Sequence, residues 1–261
     1  MNKSCRVYFQ ANKPGTFFGL RLTLIALLTL TLCEARAESQ ETVWIGYMSN
    51  WWLNPTQAIW FDTHLNHDTF FVLRGGYTHR FESGPSITGG YAYLRLNPDL
   101  ERPEHRPWGQ LFLPFHLNDD WNASFRIRSE LRFVESLENG QPASGYDFAW
   151  RNRFQTSFTR RFAPVSFGTP LLQFSHELLL NFASNPDQDT LDQNRLSVLL
   201  GLERGGLTIR VGYMNRYLAN INDGTTEHAA LLWFTQNIRI GGRARSRSDI
   251  DYDDYPEQGS L

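Results

Sequence analysis

A chain of 261 residues with 25 Lys+Arg against 27 Asp+Glu carries a formal net charge of −2, which excludes the strongly basic surface that a nucleic-acid binder needs. Its two cysteines, Cys5 and Cys33, both fall within the first 37 residues, so the remainder holds neither a disulfide framework nor a thiolate site. Beyond residue 37 no apolar run reaches the roughly 20 residues of a spanning helix, and any membrane crossing there is left to strands.

Residues 1–37 read as a cleaved secretory signal. Lys3, Arg6, Lys13 and Arg21 form a positive n-region, residues 22–32 an uncharged apolar run, and Ala35-Arg36-Ala37 a small-residue cut site before Glu38. Leu32 is bulky where a lipoprotein signal needs a small residue. Cleavage removes both lysines and leaves 20 basic against 26 acidic residues, every remaining cation being arginine. The planar guanidinium serves several carboxylates at once and never deprotonates, which suits enclosed charge networks.

Residues 38–240 alternate extended segments with turn chemistry and show no helical period. In chain order the segments are approximately 43–52, 57–66, 69–81, 86–97, 104–117, 121–135, 145–162, 170–182, 191–203, 207–219 and 226–240. Successive side chains of a strand point to opposite faces. Arg74, Thr78 and Arg80 therefore oppose Leu73, Tyr77 and Phe81, and Glu104, Arg106 and Gln110 oppose Leu111, Leu113 and Phe115. The alternation is cleanest at 125–133, where Arg126, Arg128, Glu130 and Arg132 oppose Phe125, Ile127, Leu131 and Phe133. It continues with Arg151, Arg153 and Gln155 against Trp150 and Phe154, with Gln173, Ser175 and Glu177 against Phe174 and Leu178, and with Arg210 and Arg216 against Ile209, Val211 and Tyr213. Segments 86–97 and 226–240 give no clear facing.

From residue 82 onward the connections largely alternate short and long, with 163–169 an exception. Outer-membrane barrels pair short periplasmic turns with longer external loops. Trp51, Trp52, Trp60, Trp108, Trp121, Tyr77, Tyr93 and Tyr217 lie near segment ends, as an interfacial aromatic girdle would. The expected fold is all-β: an antiparallel transmembrane barrel of about 10–12 strands with a polar Arg/Glu-rich lumen. Eleven segments conflict with the even strand number of single-chain bacterial barrels, leaving ten or twelve as alternatives. Residues 241–261, Arg-rich and then acidic, read as a charged disordered tail.

Motifs occur in a set order: Glu104-His105-Arg106-Pro107-Trp108, Arg126-Ile127-Arg128-Ser129-Glu130-Leu131-Arg132, Arg151-Asn152-Arg153, Glu177 with Asn181-Phe182, Gln193-Asn194-Arg195, and Gly212-Tyr213. This pattern resembles the bacterial outer-membrane barrel family described as domain of unknown function 2490, over roughly residues 43–240. The resemblance implies an outer-membrane β-barrel and no established activity. Pro107 and Pro114 within one segment, and the charged tail, are this chain's own.

The expected lumen set is Arg74, Arg80, Glu104, Arg106, Arg126, Arg128, Glu130, Arg132, Arg151, Arg153, Glu177, Arg195, Arg210 and Arg216. Arginines outnumber carboxylates in it, and unpaired buried charge is costly. Water, the tail or the carboxylates Asp187, Asp189 and Asp192 would complete a structural network; otherwise the excess makes an anion-favouring pore. A hydrolase needs a nucleophile within reach of a histidine. His105, His176 and His228 are candidates, but Ser175 and His176 point to opposite faces, Ser129 meets a histidine only in an unspecified register, and no Gly-x-Ser-x-Gly elbow occurs. Asp62, His64, His67 and Asp68 cluster locally without the convergence a metal site needs. No cofactor or nucleic-acid partner is expected. The expected partners are outer-membrane lipid, lipopolysaccharide and the barrel-assembly machinery, and the chain carries no signal for its oligomeric state.

Overall fold

The alternation that defines the strands has one consequence above all, a wall whose two faces differ in chemistry. In the computed structural model the described residues are 39–66, 69–96, 102–183, 190–219 and 224–240. The expected leader and tail, the loop carboxylates Asp187 and Asp189, and His67 and Asp68 lie outside them. The strands are β1 (Ser39–Asn54), β2 (Gln57–Asn66), β3 (Phe70–Arg80), β4 (Ser86–Leu96), β5 (Arg102–His116), β6 (Trp121–Glu138), β7 (Gln141–Arg161), β8 (Thr169–Ala183), β9 (Leu191–Arg204), β10 (Leu207–Leu218) and β11 (Thr225–Arg239). They form one closed barrel in which each strand pairs with its sequence neighbours.

Among the described residues there are eleven strands, neither ten nor twelve. Every sequential pair is antiparallel, so an odd count sends the last strand in the same direction as the first. The barrel accordingly closes on a parallel seam, with β1 and β11 in register from Ser39↔Thr226 to Trp52↔Arg239. The connections follow local turn chemistry. Gly205 and Gly206 both take positive φ, 58° and 83°, as a two-residue hairpin between right-twisted strands demands. Asn139 and Gly140 repeat the device at 53° and 77°. In the β1–β2 turn, Asn54 Oδ1 accepts from the backbone N–H of Thr56 at 3.0 Å. The longer β7–β8 connection is itself folded back by a bridge between Val165 and Gly168.

The interior divides into two halves. One is apolar: Trp44, Phe70, Val72, Leu94, Met214, Leu231 and Trp233 belong to a single buried cluster on β1, β3, β4, β10 and β11. Glycines make room for the indoles. A Cβ on Gly46 would lie 1.8 Å from the Trp233 ring, and one on Gly90 would lie 2.2 Å from the Gly75 carbonyl and 2.9 Å from the Trp108 ring. The other, centred on β5 to β9, is mainly charged, and the two interpenetrate: Trp108 of β5 and Leu199 of β9 join the apolar cluster, while Asp62 on β2, Arg74 on β3, Arg210 and Arg216 on β10 and Glu227 on β11 are buried charges on the other side. Among the described residues no helix is long and apolar enough to cross a membrane.

Candidate functional site

Strand parity brings the charged side chains into one enclosed space. Glu104, Arg106 and Gln110 share the inner face of β5, Arg126, Arg128 and Glu130 that of β6, Arg151 and Arg153 that of β7, Glu177 that of β8 and Arg195 that of β9, all buried. Arg74 is buried on β3, and Arg210 and Arg216 on β10. Arg132 and Arg80 share the inward parity but sit nearer the rims and are partly buried. Six of these charged residues, Arg74, Arg126, Arg128, Arg153, Glu104 and Glu130, are each 2% exposed or less.

Three glutamates form the spine of the network. Glu104 accepts from Arg106 Nη2 at 2.7 Å and from Arg132 Nε at 2.7 Å. Glu130 accepts from Arg151 Nη2 at 2.6 Å and from Arg153 Nη1 at 3.1 Å, with Arg106 Nη1 at 3.4 Å. Glu177 accepts from Arg126 Nη2 at 2.7 Å, Arg153 Nη2 at 2.8 Å and Arg195 Nη1 at 3.3 Å. Arg106 and Arg153 thereby link the three glutamates into one chain. Gln193 Oε1 extends it, accepting from Arg195 Nε at 2.9 Å and Arg216 Nε at 3.0 Å. Arg216 Nη1 then donates to Glu227 at 2.7 Å. The interior cavity bounded by Trp44, Glu177, Arg195, Met214 and Trp233 measures about 30 Å³, room for a water or two.

Two inward carboxylates, Glu227 and Asp62, escape the sequence-based set, and a third, Asp192, is one of the carboxylates expected to complete the network. Glu227 lies on β11, whose two faces are both largely apolar. Asp62 accepts from Arg74 Nε at 2.8 Å and lies 3.1 Å from His64 Nε2. Asp192 has outward parity, but the ladder between β8 and β9 slips there, pairing Leu179 with Gln193 and Leu180 with Leu191. The extra residue is a β-bulge, which re-aims a side chain, and Asp192 Oδ2 accepts from Arg151 Nη1 at 3.0 Å. Other arginines use neutral or aromatic partners. Arg128 donates to Gln110 Oε1 at 2.7 Å and lies over the rings of Trp60 and Trp108, 5.1 and 4.7 Å from their centroids. Arg80 lies over Trp52 at 4.0 Å. Arg210 Nη1 donates to Thr235 Oγ1 at 3.2 Å.

Two sequence expectations are corrected. Trp60 and Trp108 belong to no outer girdle; both are buried inside the barrel, because they share parity with Asp62 and with Glu104 and Arg106. Of the local cluster Asp62, His64, His67 and Asp68, the strand does bring Asp62 and His64 together, both buried beside Arg74, since residues i and i+2 of a strand share a face. Among the described residues no three metal-ligating side chains group together.

The outward histidines find partners other than serine. His105 Nδ1 bonds the Tyr91 hydroxyl, His228 Nδ1 the Tyr213 hydroxyl, and His176 Nε2 meets Asn194 Oδ1 at 2.7 Å. Ser129 Oγ accepts from Trp150 Nε1 at 2.6 Å, and Ser175 bonds Ser197 on the inner face at 2.6 Å.

The family model described as "Protein of unknown function (DUF2490)" matches residues 36–227. No curated protein matches the chain. Among solved structures, that of the NanC porin is similar over 72% of this chain and 94% of its own, with 13% sequence identity and a TM-score of 0.43.

Proposed function

The chain belongs to the DUF2490 family of proteins of unknown function, and from that premise we propose that it is an integral outer-membrane β-barrel with a sealed interior, acting as a scaffold or interaction platform at its outer surface. The membrane location is supported by the outward face. Exposed large apolar residues run around the whole wall, among them Ile45 on β1, Leu73 on β3, Leu131 on β6, Val198 on β9 and Val211 on β10. Apolar surface of that extent on a closed barrel calls for lipid. The leader at residues 1–37 would deliver the chain for export, the barrel-assembly machinery would insert it, and lipopolysaccharide would be its outer-leaflet neighbour.

The sealed interior is carried by one observation, the chain of ion pairs from Glu104 through Glu130 and Glu177, whose members are almost fully buried. Buried charges held by several partners resist displacement, because opening a path leaves a charge unpaired in low dielectric. A second role, narrow anion passage, draws on the arginine excess, since rings of arginine favour anions. Planar-bilayer recording of the folded protein separates the two. The sealed barrel gives no conductance steps, whereas reproducible anion-selective steps would remove the scaffold assignment.

A further inference from the structure

One outward feature of the wall occurs twice. Tyr91 on β4 bonds His105 Nδ1 on β5, and Tyr213 on β10 bonds His228 Nδ1 on β11. In both cases the bond runs one diagonal step from the ladder pair, since His105 pairs with Tyr93 and His228 with Asn215. The placement along the wall also matches. Each tyrosine stands five residues before the end of its strand, and each histidine three residues after the start of its own. Four strands separate the two pairs on one side of the barrel and three on the other, so they lie nearly opposite one another.

Both pairs lie toward the connections 97–101 and 219–224, the external end by the pattern of loop lengths. They mark the border of the apolar band. Toward mid-wall the strands of the two pairs present Leu111 and Leu113, or Ile209 and Val211; toward the loops they present Arg95, or Tyr217 and Thr226. That border is the headgroup level, where amphipathic rings collect. At the short-turn end the outward His79 meets the Phe81 ring edge-on at 5.1 Å and, among the described residues, no hydroxyl. The Tyr–His pair is thus a feature of one leaflet.

A phenol is a stronger acid than a neutral imidazole, so the tyrosine O–H donates to Nδ1. The hydrogen bond at one ring nitrogen fixes the proton on the other, which leaves Nε2–H as a donor. Among the described residues Nε2 of His105 and Nε2 of His228 have no hydrogen-bond partner, and both histidines are partly exposed. A doubly protonated ring would still donate from Nε2. Such a donor binds an anionic acceptor best, because hydrogen bonds to charged groups are the stronger ones. Ring faces stand beside it: the Tyr93 and Tyr146 centroids lie 5.5 Å from that of His105, and Tyr213 stacks on His228 with an interplanar angle of 20°. An outward donor flanked by flat rings at headgroup level fits a phosphorylated sugar. We infer that the two Tyr–His pairs hold the phosphates of outer-leaflet glycolipid, one lipopolysaccharide headgroup at each. This rests on the outer-membrane assignment above.

The test uses the purified full chain, folded in detergent. It is titrated with lipid A carrying both phosphates and with the same lipid A after dephosphorylation, and bound lipid is read by native mass spectrometry. The phosphorylated form should bind about tenfold more tightly per site, the size of one hydrogen bond to a charged group. His105→Leu and His228→Leu should each remove that preference at one site and together at both. His176→Leu should keep it, because His176 Nε2 is already bonded to Asn194. Equal affinity of the unaltered chain for the two lipids overturns the contact, whether or not the double variant folds. An unchanged preference in a double variant that retains the fast-migrating unboiled form also overturns it. Loss of the preference in millimolar inorganic phosphate would assign the pairs to free phosphate and overturn the lipid contact. Recovery of the chain in the soluble periplasmic fraction overturns the outer-membrane assignment, and the contact with it.

Discussion

The two halves of the barrel interior fill the same kind of space by different means. On β1, β3, β4, β10 and β11 the filler is mainly volume: indoles and aliphatic side chains interlock, and inward glycines such as Gly46 and Gly90 yield the space the rings occupy, with the charged network entering through Arg74, Arg210, Arg216 and Glu227. Each contact there is local, and dispersion and hydrophobic burial add residue by residue. On β5 to β9 the filler is charge, and it is shared. Glu130 alone serves arginines from β5 and from two positions on β7, and Glu177 serves arginines from β6, β7 and β9. Removing one carboxylate therefore strands several cations at once, whereas removing one aliphatic side chain leaves only its own cavity. Arg128 joins the halves, bonding Gln110 while its guanidinium covers Trp60 and Trp108; such stacking on a desolvated ring contributes up to about 2 kcal/mol.

The contrast fails most visibly, if it fails, at Glu130. Glu130→Ala should destabilise the barrel by roughly 3–5 kcal/mol, the cost of breaking a buried ion pair by removing one partner, read as a shift in the urea unfolding midpoint of protein folded into lipid vesicles. Combined with Glu177→Ala, the loss should fall short of the sum of the two single losses, because Arg153 bonds both carboxylates and contacting sites are not additive. A strictly additive pair would mean that the network is a set of independent bridges. Leu94→Ala probes the other half. Leu94 is 3% exposed within the apolar cluster, and its truncation should cost about 2–5 kcal/mol, towards the lower end if neighbouring side chains close over the cavity. A loss from Leu94→Ala larger than that from Glu130→Ala would reverse the ranking of the halves.

Much of the wall was legible in the sequence. Wherever charge and apolar residues alternate strictly, as at 125–133, parity alone assigns each face, and the eleven segments correspond to the eleven strands. The missing pieces have physical causes. Trp60 and Trp108 look like girdle residues because an aromatic near a strand end fits either face; only their shared parity with Asp62 and Arg106 reveals the inward side. β4 and β11 carry apolar or small residues on both faces, so alternation is silent there, and Glu227 goes unassigned with its strand. Asp192 is expected from its charge to complete the network, but parity would turn it outward, since the bulge that brings it to Arg151 is a property of the β8–β9 register. The parallel seam follows from an odd count, and the general preference for even counts argued against accepting it.

Asp192 supplies the mildest test of the same contrast, because it carries the charged network to the rim. Its carboxylate is 18% exposed while the guanidinium it meets is 5% exposed, so solvent reaches one side of the pair. Arg151 also keeps Glu130 at 2.6 Å and is not stranded when Asp192 loses its charge. Asp192→Asn should therefore cost about 1 kcal/mol or less, in the range of solvent-touched ion pairs. The loss should shrink as salt is raised from about 0.1 to 1 M, where the screening length falls from about 10 to 3 Å. The Glu130→Ala loss should hold nearly constant over the same series, since buried pairs are screened far less. Equal salt dependence for the two variants would place Glu130 in solvent contact and remove the distinction between an enclosed network and a hydrated one.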